Sequence, residues 1–366
     1  MNALVELPSC FKPGATIVYQ ALVGVRQAHP RLGLQGWSRL LSTSEGELQA
    51  SRLGQESVWP LQDVFSLLYL LPSLGEVQLL TFNELGWAQY QGCFTPPDLC
   101  LDDPHQLGLQ FVTQHLELKL MLENWYWGCL VEEENSQGET EKSLQFFNRQ
   151  GQRFAKIQAL ESGDQAAWLG LQEAFKGMGA VNPSRPLFSD AGIQVFNDHP
   201  PQDLGRFQLE WRRMADPNQI SYLLARHQVN YLSGLQALGP KLARQVSLNA
   251  LTELLTEAAL LPRSQAKPGL KLAFYTDACV HSCRGNLQPP RLKHREVCIG
   301  YPAGCLHFNP QLLEEAWVVR KPQGDGWISS LELFSDAGQR VFQVSEDKLS
   351  LQPENLVLRE LFNALQ

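Results

Sequence analysis

The side chains with the clearest capacity to bind a soft metal lie in the segments CVHSC and CLHF. Cys279, His281 and Cys283 alternate along the first segment, and Cys305 and His307 alternate along the second, so on strands each set faces one way. Thiolate and imidazole donors suit zinc or copper if the two strands are neighbours. However, a strand separates the Cα atoms of Cys279 and Cys283 by about 13 Å. We therefore expect buried free thiols, with a zinc or copper site as the alternative.

A second group of candidate residues lies in the segment WRRMADPNQISYLLARH. Asp216 and Pro217 predict the start of a helix, because aspartate caps the first N–H groups and proline suits the first turn. Asn218 follows, and Tyr222, four residues further along a helix, faces the same way. His227 falls on the opposite side and continues an apolar stripe, so we expect it to be packed or at the surface.

Elements that would position these residues occur twice in the chain. The segment SLQFFNRQGQRF begins at Ser143 and SLELFSDAGQRV begins at Ser330, and each predicts a β-hairpin with a glycine turn. Upstream, LLTFNELGWAQYQG from Leu79 parallels LAFYTDACVHSCRG from Leu272. The same order of blocks in both halves predicts an α+β fold built as a tandem repeat, in which helices precede an antiparallel sheet.

The repeat sets the predicted domain boundaries. The first repeat covers residues 1–176 and the second covers 206–366. Residues 177–205 are rich in Gly, Pro, Asn and Asp, which is typical of a linker or meandering loop.

Composition excludes several classes of protein. The net charge is −8, which argues against nucleic acid as the main partner. No apolar run approaches the roughly 20 residues that span a bilayer, and the N-terminus lacks the basic and apolar regions of a signal peptide. We therefore predict a cytoplasmic protein without a membrane span, whose eight cysteines are free thiols. No P-loop, Gly-x-Ser-x-Gly or dinucleotide motif is present.

Five segments together resemble one family. HPRL…LLSTSEGELQASRLG, LGEVQLLTFNE, SLQFFNRQGQRFAKI, WRRMADPNQ and WVVRKPQGDGWISSLELF are similar, in this order, to the HemS-type heme-utilisation proteins, also called hemin-degrading factors or cytoplasmic heme carriers. The resemblance implies two stacked β-sheets flanked by helices, with b-type heme in a pocket of the second repeat. The first repeat, which has Phe82 and Leu85 where the family often has Arg and His, is then expected to be structural.

The resemblance also implies an iron ligand. Family members usually carry a histidine directly after a Met-x-Asp-x stretch, and Asn218 takes that place here. An amide is a poor donor to heme iron. Tyr222 could instead supply a phenolate, as in catalase. A cysteine thiolate is a further alternative. If Tyr222 does not bind the iron, we expect it simply to pack beside its neighbours.

Cations for the heme propionates are implied in the same way. They are Arg320 and Lys321 in VVRKP, and Lys119 in LELKL, where the family usually has arginine. His307 takes the corresponding place in the second repeat and is a candidate to face the pocket. For each of these residues, a solvated strand or a packed side chain remains the alternative.

Three functions follow from these residues. The first is a bacterial cytoplasmic protein that binds and carries heme, with a heme transporter or a heme oxygenase as donor or acceptor. The second is an enzyme that opens the heme ring with a reductant and oxygen. The third is a diverged interaction protein that binds no heme. Loss of the usual histidine counts most against the enzyme, because oxygen activation depends on a defined proximal donor.

Overall fold

A computed structural model describes residues 16–61, 63–103, 106–134, 138–178, 186–189, 199–261, 269–348 and 352–366. Most of the predicted linker, namely residues 179–185 and 190–198, lies outside this part of the chain. In the described part, no helix is both long enough and apolar enough to cross a membrane.

Ten α-helices occur in the described residues. They are α1 (Ile17–Ala28), α2 (Leu34–Leu41), α3 (Glu45–Ser51), α4 (Val64–Leu70), α5 (Gln165–Met178), α6 (Leu204–Arg213), α7 (Ile220–His227), α8 (Tyr231–Leu238), α9 (Ala250–Leu260) and α10 (Leu356–Ala364). Short 3-10 helices cover Leu71–Leu74, Leu122–Asn124, Pro217–Gln219 and Pro310–Leu312.

Eighteen strands occur in the same residues. The first repeat holds β1 (Val58–Pro60), β2 (Gly75–Phe82), β3 (Gly86–Cys93), β4 (Asp98–Asp103), β5 (Gln106–Val112), β6 (Leu116–Met121), β7 (Trp127–Glu134), β8 (Thr140–Phe147) and β9 (Arg153–Gly163). The second repeat holds β10 (Ala243–Val246), β11 (Leu270–Tyr275), β12 (Cys279–Gly285), β13 (Arg291–Lys293), β14 (Glu296–Tyr301), β15 (Gly304–Phe308), β16 (Leu313–Gln323), β17 (Gly326–Ser335) and β18 (Arg340–Glu346).

Element order confirms the α+β tandem repeat. Each half has three helices, one short strand, one helix, eight strands and a last helix. The predicted hairpins are β8–β9 and β17–β18, and their turns contain Gly151 and Gly338 at φ of 78° and 70°, a region that favours glycine. The boundaries at residues 176 and 206 stay a prediction.

The two compact units of the structure do not coincide with the two sequence repeats. One compact unit comprises Met1–Leu79 and Asn124–Ile193, and the other comprises Leu80–Glu123 and Gln194–Gln366. A stretch of the first repeat, with β3 to β6, therefore belongs to the second unit. In the first unit the strand order is β1-β7-β8-β9-β2, and helices α1, α2 and α3 pack together through Leu22, Leu34 and Leu48.

Two sheets form the second unit. One has the order β10-β16-β17-β18-β11-β12-β6-β5-β4, and the other contains β3-β15-β14-β13. Strand β12 of the second repeat pairs with β6 of the first, and β15 pairs with β3. Each repeat thus supplies strands that cover an edge of the other, which leaves no open edge at these joints.

The layer between these two sheets contains a buried polar chain. The ring of His281 is bonded to Thr81 Oγ1 (3.0 Å) and to the Tyr301 hydroxyl (3.2 Å), which in turn donates to the Gln89 carbonyl (2.6 Å). Because Tyr301 donates its only proton to Gln89, it accepts from His281 Nε2–H, and Nδ1 accepts from Thr81. Burial lowers the pKa of His281 to about 3, so the ring is neutral at pH 7.

The predicted buried thiols are confirmed in this layer. Cys279 and Cys283 are free and buried, and burial raises the pKa of each to about 12. Cys305 and His307 lie in the other sheet, so the two segments of the predicted soft-metal site do not share a sheet. Among the described residues, no group of three His, Cys, Asp or Glu is arranged to hold a metal ion.

Candidate functional site

One face of the sheet that runs from β10 to β4 is covered by helices along half of its width. Helices α6, α7 and α8 pack on β16 and β17 through a core that includes Phe207, Trp211, Leu235, Trp317 and Phe334. The indole N–H of Trp211 donates to the Arg320 carbonyl at 3.1 Å, which fixes α6 on β16. This cluster is the main contact between the helices and the sheet.

The other half of the same face is only half-buried. Its floor on β5, β6 and β12 is mixed: Val112 is 39% exposed and Met121 and Val280 are partly exposed, and Gln110 and Glu117 lie on the same face. Lys119 stands among them, directly opposite Val280 across the strand pair. This open half therefore presents apolar side chains beside a lysine and a glutamate.

The turn before α7 borders this surface. Asp216 Oδ1 accepts the Asn218 N–H at 2.8 Å, and the Ala215 carbonyl accepts the N–H of Gly324 (2.7 Å), in the β16–β17 hairpin. The 3-10 helix Pro217–Gln219 contacts both β4 and β16. The turn is thus fastened to the sheet, with Asn218 exposed at the border of this surface.

Charges from the turn and from the sheet meet at Lys119. Burial lowers the pKa of Lys119, and Arg340 lowers it further, whereas Cys100 and Asp216 act to raise it. Like charges lower and opposite charges raise the pKa of a lysine in this way. Gly108 lies opposite Cys100 and leaves room for its sulfur, because a Cβ at Gly108 would lie only 2.9 Å from that atom.

A buried polar cluster continues from Lys119 toward the helices. Glu332 accepts from Lys321, from Arg340 Nη1 (3.3 Å) and from the Ser330 hydroxyl (2.8 Å). Burial alone would raise the pKa of Glu332, but Lys321 and Arg340 outweigh it and lower the pKa to about 2. Burial lowers the pKa of Lys321 to about 8, despite its carboxylate partner.

Aromatic rings and an amide hold this cluster in place. The guanidinium of Arg340 lies over the rings of Tyr275 (4.1 Å) and Tyr231 (4.8 Å). Gln343 Oε1 accepts from Lys321 Nζ at 3.0 Å, from Arg340 Nη1 and from the Tyr275 hydroxyl at 3.1 Å each. The cations are consequently fixed before any ligand arrives.

Several charged side chains lie on this face, which we call the basic groove. Its cations are Lys119, Lys271, Lys321 and Arg340, and the carboxylates among them are Glu117, Glu332 and Asp216, with Asp98 on the same face of β4. The four cations lie together in a chain whose net charge is −8. A flat apolar molecule that carries acid groups matches the cations and the partly exposed apolar side chains.

Two family models match the chain. The model described as haem utilisation ChuX/HutX matches residues 59–171, and the haemin-degrading HemS.ChuX domain matches residues 228–358. The chain belongs to the HemS family of heme-utilisation proteins.

Curated relatives of this HemS-family chain match it almost end to end. The hemin transport protein HmuS of Yersinia pestis is 29% identical over 94% of the chain and 95% of the relative. The hemin transport protein HemS of Yersinia enterocolitica is 26% identical over the same shares.

Solved structures agree with the fold. Holo-PhuS, a heme-binding protein from Pseudomonas aeruginosa, has a TM-score of 0.81 at 26% identity and covers 95% of this chain and 98% of that one. The heme-degrading enzyme ChuS of Escherichia coli O157:H7 has a TM-score of 0.79 at 25% identity, with the same coverage.

The structure brings some of the predicted HemS-type site residues together. Lys119 and Lys321 lie on the face that bears the basic groove, and Asn218 lies at its border. Tyr222 follows Asn218 and is 48% exposed. The ligand roles assigned to these residues from the sequence stay predictions.

Two predicted residues lie elsewhere. Arg320 precedes Lys321 on β16, so its side chain projects to the opposite face of the sheet, where it stacks on Trp327 at 5.5 Å. His307 lies in the other sheet and stacks on Trp87 at 4.2 Å. Neither residue therefore shares the basic groove with Lys119. His227 packs as expected, with its ring 2.8 Å from Glu210.

The sequence did not identify the residues at the centre of the groove. Glu332, Arg340 and Gln343 were read only as parts of a hairpin. The available signal was the alternation in SLELF, which places Glu332 on the same face as Ser330 and opposite to two leucines. A charged residue on a strand whose both faces are buried needs a partner, and Arg340 in the next strand supplies one.

Buried polar residues of the first unit are paired in a different way. Gln145 stands where the repeat places Glu332, and it accepts from Gln49. Buried Arg52 is paired with Glu56 (2.8 Å) and Glu133 (3.0 Å), and Arg153 is paired with Glu45. These buried cations of the first unit are thus matched by its own carboxylates. The first repeat also supplies Lys119 to the groove, and its expected structural role stays a prediction.

The first unit does contain a depression of about 340 Å3. It is lined by Ser38, Ser42, Thr43, Ser44, Glu47, Gln150, Phe188 and Ser189. This lining is rich in hydroxyl groups and has no cation, so it does not match an acidic macrocycle.

Proposed function

We propose that this HemS-family protein binds heme in the basic groove of its second unit and carries it within the bacterial cytoplasm. The observation that supports the proposal most is the position of Lys119 and Arg340 on one face of the sheet, beside the partly exposed Val112, Met121 and Val280. A heme transporter or a heme oxygenase is the proposed donor or acceptor.

The groove suits both parts of the heme molecule. The macrocycle is flat and apolar, and burial of apolar surface contributes about 25 cal/mol per Å2. Its two propionates require cations, and a hydrogen bond between charged groups contributes about 1.5–3 kcal/mol. In this arrangement the ring lies against Met121 and Val280, and a propionate reaches Lys119.

The turn before α7 closes one side of the proposed site. Asn218 borders the ring, and Tyr222 is the residue that the sequence predicts as a phenolate donor to the iron. The predicted propionate contacts of Arg320 and His307 require a different position of the heme, because both side chains lie away from the groove. Variants of these residues therefore distinguish the two positions.

The side chains available to bind iron at the groove favour heme transport over heme degradation. The side chains described there are ammonium, guanidinium, amide, thiol and phenol groups, and oxygen activation on heme depends on a strong proximal donor. The curated relatives are named hemin transport proteins. Ring opening, the activity named for ChuS, is the alternative.

Titration of the protein with hemin tests the proposal. We expect a Soret shift that saturates at one equivalent, and a tenfold or greater loss of affinity in Lys119→Met. Lys241→Met is the matched control, because Lys241 is exposed in the same unit, and Arg320→Met should also bind normally. Failure of the parent protein to bind hemin would overturn the proposal.

A second measurement separates the carrier from the enzyme. Ascorbate is added to the hemin complex in air, and the Soret band is followed. A carrier keeps the band, apart from reduction of the iron, and releases intact heme to an acceptor. Bleaching to a linear tetrapyrrole at a rate above that of free hemin would establish the alternative.

A further inference from the structure

A short segment of the predicted linker, Pro186–Ser189, packs within the first compact unit. We propose that this segment is a latch, which docks the Phe188 side chain into a socket of that unit and fixes the linker there. The socket is formed by Gly46, Tyr126, Trp127 and Gly151. It is a docking site for a short peptide, and its occupant is this chain's own linker. The proposal concerns residues away from the basic groove and does not rest on heme binding.

The ring of Phe188 fills a space between helix α3 and the β8–β9 turn. A Cβ at Gly46 would lie 2.6 Å from this ring, and a Cβ at Gly151 would lie 3.1 Å from it. The ring also packs edge-on against Tyr126 and Trp127, with 5.6 and 6.0 Å between the ring centroids. Two glycines thus provide the space of the socket, and two aromatic rings provide its wall.

Backbone hydrogen bonds on both sides of Phe188 hold the latch. The Tyr126 hydroxyl accepts the Leu187 N–H at 3.2 Å and donates to the Leu187 carbonyl at 2.8 Å. The Ser189 N–H donates to the Arg149 carbonyl at 3.0 Å, and the Arg149 guanidinium lies over the Tyr126 ring at 5.2 Å. Main-chain hydrogen bonds together with a pocket for one side chain are the contacts by which proteins hold docked peptides.

In the second repeat, the corresponding space is taken by a side chain of the repeat itself. Ser44 caps α3 and Asn230 caps α8, and the second residue after the cap is Gly46 in one helix and Leu232 in the other. Leu232 Cδ2 lies 3.8 Å from where a Cβ of Gly338, in the β17–β18 turn, would be. The fold thus accepts a large side chain at this place, and a glycine there leaves the space for the linker.

The latch determines how much chain connects α5 to α6. With Phe188 docked, residues 190–203 run from the latch to the start of α6, whereas without docking the connection begins at the end of α5, at Met178. The length of a linker sets how often the segments that it joins meet. Docking and release of Phe188 therefore change the connection between the two compact units without any change in their covalent structure.

Amide hydrogen exchange of the full-length protein tests the latch. The amides of Leu187 and Ser189 are hydrogen-bonded in the docked state, so they should exchange about tenfold or more slower than in a free peptide of the same sequence. Phe188→Ala empties the socket, and Tyr126→Phe removes the hydroxyl that bonds Leu187. Each variant should therefore bring the exchange of Leu187 close to the rate of the free peptide. Tyr69→Phe is the matched control, because Tyr69 is 53% exposed in the same unit, and it should leave the exchange unchanged.

Cleavage by chymotrypsin supplies a second arm. The bond after Phe188 is a substrate only when the ring has left the socket. Gly46→Leu places there the side chain that the second repeat has, so cleavage after Phe188 should become about tenfold faster or more. Gly24→Leu is the control, because a Cβ at Gly24 would have no atom of the described residues within 4 Å, and its cleavage rate should equal that of the parent.

The outcomes decide the proposal without reference to hemin. If Leu187 and Ser189 exchange in the parent as fast as in the free peptide, the latch does not exist. If they are protected and neither Phe188→Ala nor Tyr126→Phe changes this, other contacts hold the segment and the proposal is wrong. Protection that is lost in both variants and kept in Tyr69→Phe supports the latch. Failure of any of these tests leaves the proposed heme binding as it stands.

Discussion

Lys321 and Glu332 form a salt bridge between neighbouring strands in which the two side chains are 2% and 0% exposed. The ammonium of Lys321 and the guanidinium of Arg340 share this one carboxylate. One buried cation and one partly exposed cation therefore depend on a single counter-charge. This relationship makes Glu332 the residue on which both the stability and the charge of the groove depend.

The variant Glu332→Gln should destabilise the protein strongly. It leaves the buried Lys321 and the partly exposed Arg340 without this carboxylate, and removing one partner of a buried pair costs about 3–5 kcal/mol. The free energy of unfolding in urea measures the loss. Glu314→Gln is the matched control, because Glu314 is exposed on the adjoining strand, and it should cost less than 0.5 kcal/mol, the usual range for surface substitutions.

A double variant checks the cause of that loss. Lys321→Met together with Glu332→Gln removes one of the unpaired cations, so it should be more stable than Glu332→Gln alone. If the double variant is less stable than both Glu332→Gln and Lys321→Met alone, the unpaired Lys321 is not the source of the loss.

Stability should fall in acid partly because of Glu332. Its pKa is about 2 in the folded protein and 4.5 in its unperturbed state, so the unfolded chain takes up a proton first as the pH decreases. The stabilisation is complete above about pH 4.5 and is lost as the pH falls toward 2. Unfolding measured between pH 5 and 2.5 should show a steeper pH dependence in the parent than in Glu332→Gln. Equal slopes would contradict the depressed pKa.

The buried chain through His281 gives a separate test of the layer between the sheets. Thr81→Val keeps the shape of the side chain but leaves His281 Nδ1 without its donor, which should cost about 1–3 kcal/mol. Chemical denaturation measures it, and Thr140→Val, at an exposed strand position, is the control. A double variant with His281→Leu should recover part of the loss, because both polar partners are then absent.

Local sequence signals were sufficient for the elements and their order. The hairpins at Ser143 and Ser330 and the order of blocks predicted the α+β repeat, because alternation and glycine turns are local properties. The pairing of β6 with β12 was not predictable in this way, since it joins residues about 160 positions apart. Partners of that kind are chosen by the packing of whole sheets.

The site was partly predictable for a related reason. Neighbouring residues on a strand face opposite ways, and applying this rule to Arg320 and Lys321 would have shown that they cannot hold one ligand together. Arg340 and Glu332 required knowledge of which strands are adjacent. The charged residues of the groove come from several strands and a turn, so no single segment of the sequence displays them together.

The substitution Asn218→His should give the groove an imidazole donor for the heme iron. Asn218 is exposed at the border of the groove, and its backbone is fixed by Asp216 at 2.8 Å, so an imidazole there starts from a defined place. We expect hemin to bind at least tenfold more tightly, with a six-coordinate low-spin or five-coordinate imidazole spectrum. Protoporphyrin IX has no iron to ligate, so its affinity should stay within threefold of the parent value. Asn218→Ala, which adds no donor, is the control and should bind both ligands as the parent does. Equal tightening of both ligands by Asn218→His would mean that the new ring only packs against the macrocycle, and no change for either would place the ligand away from this turn.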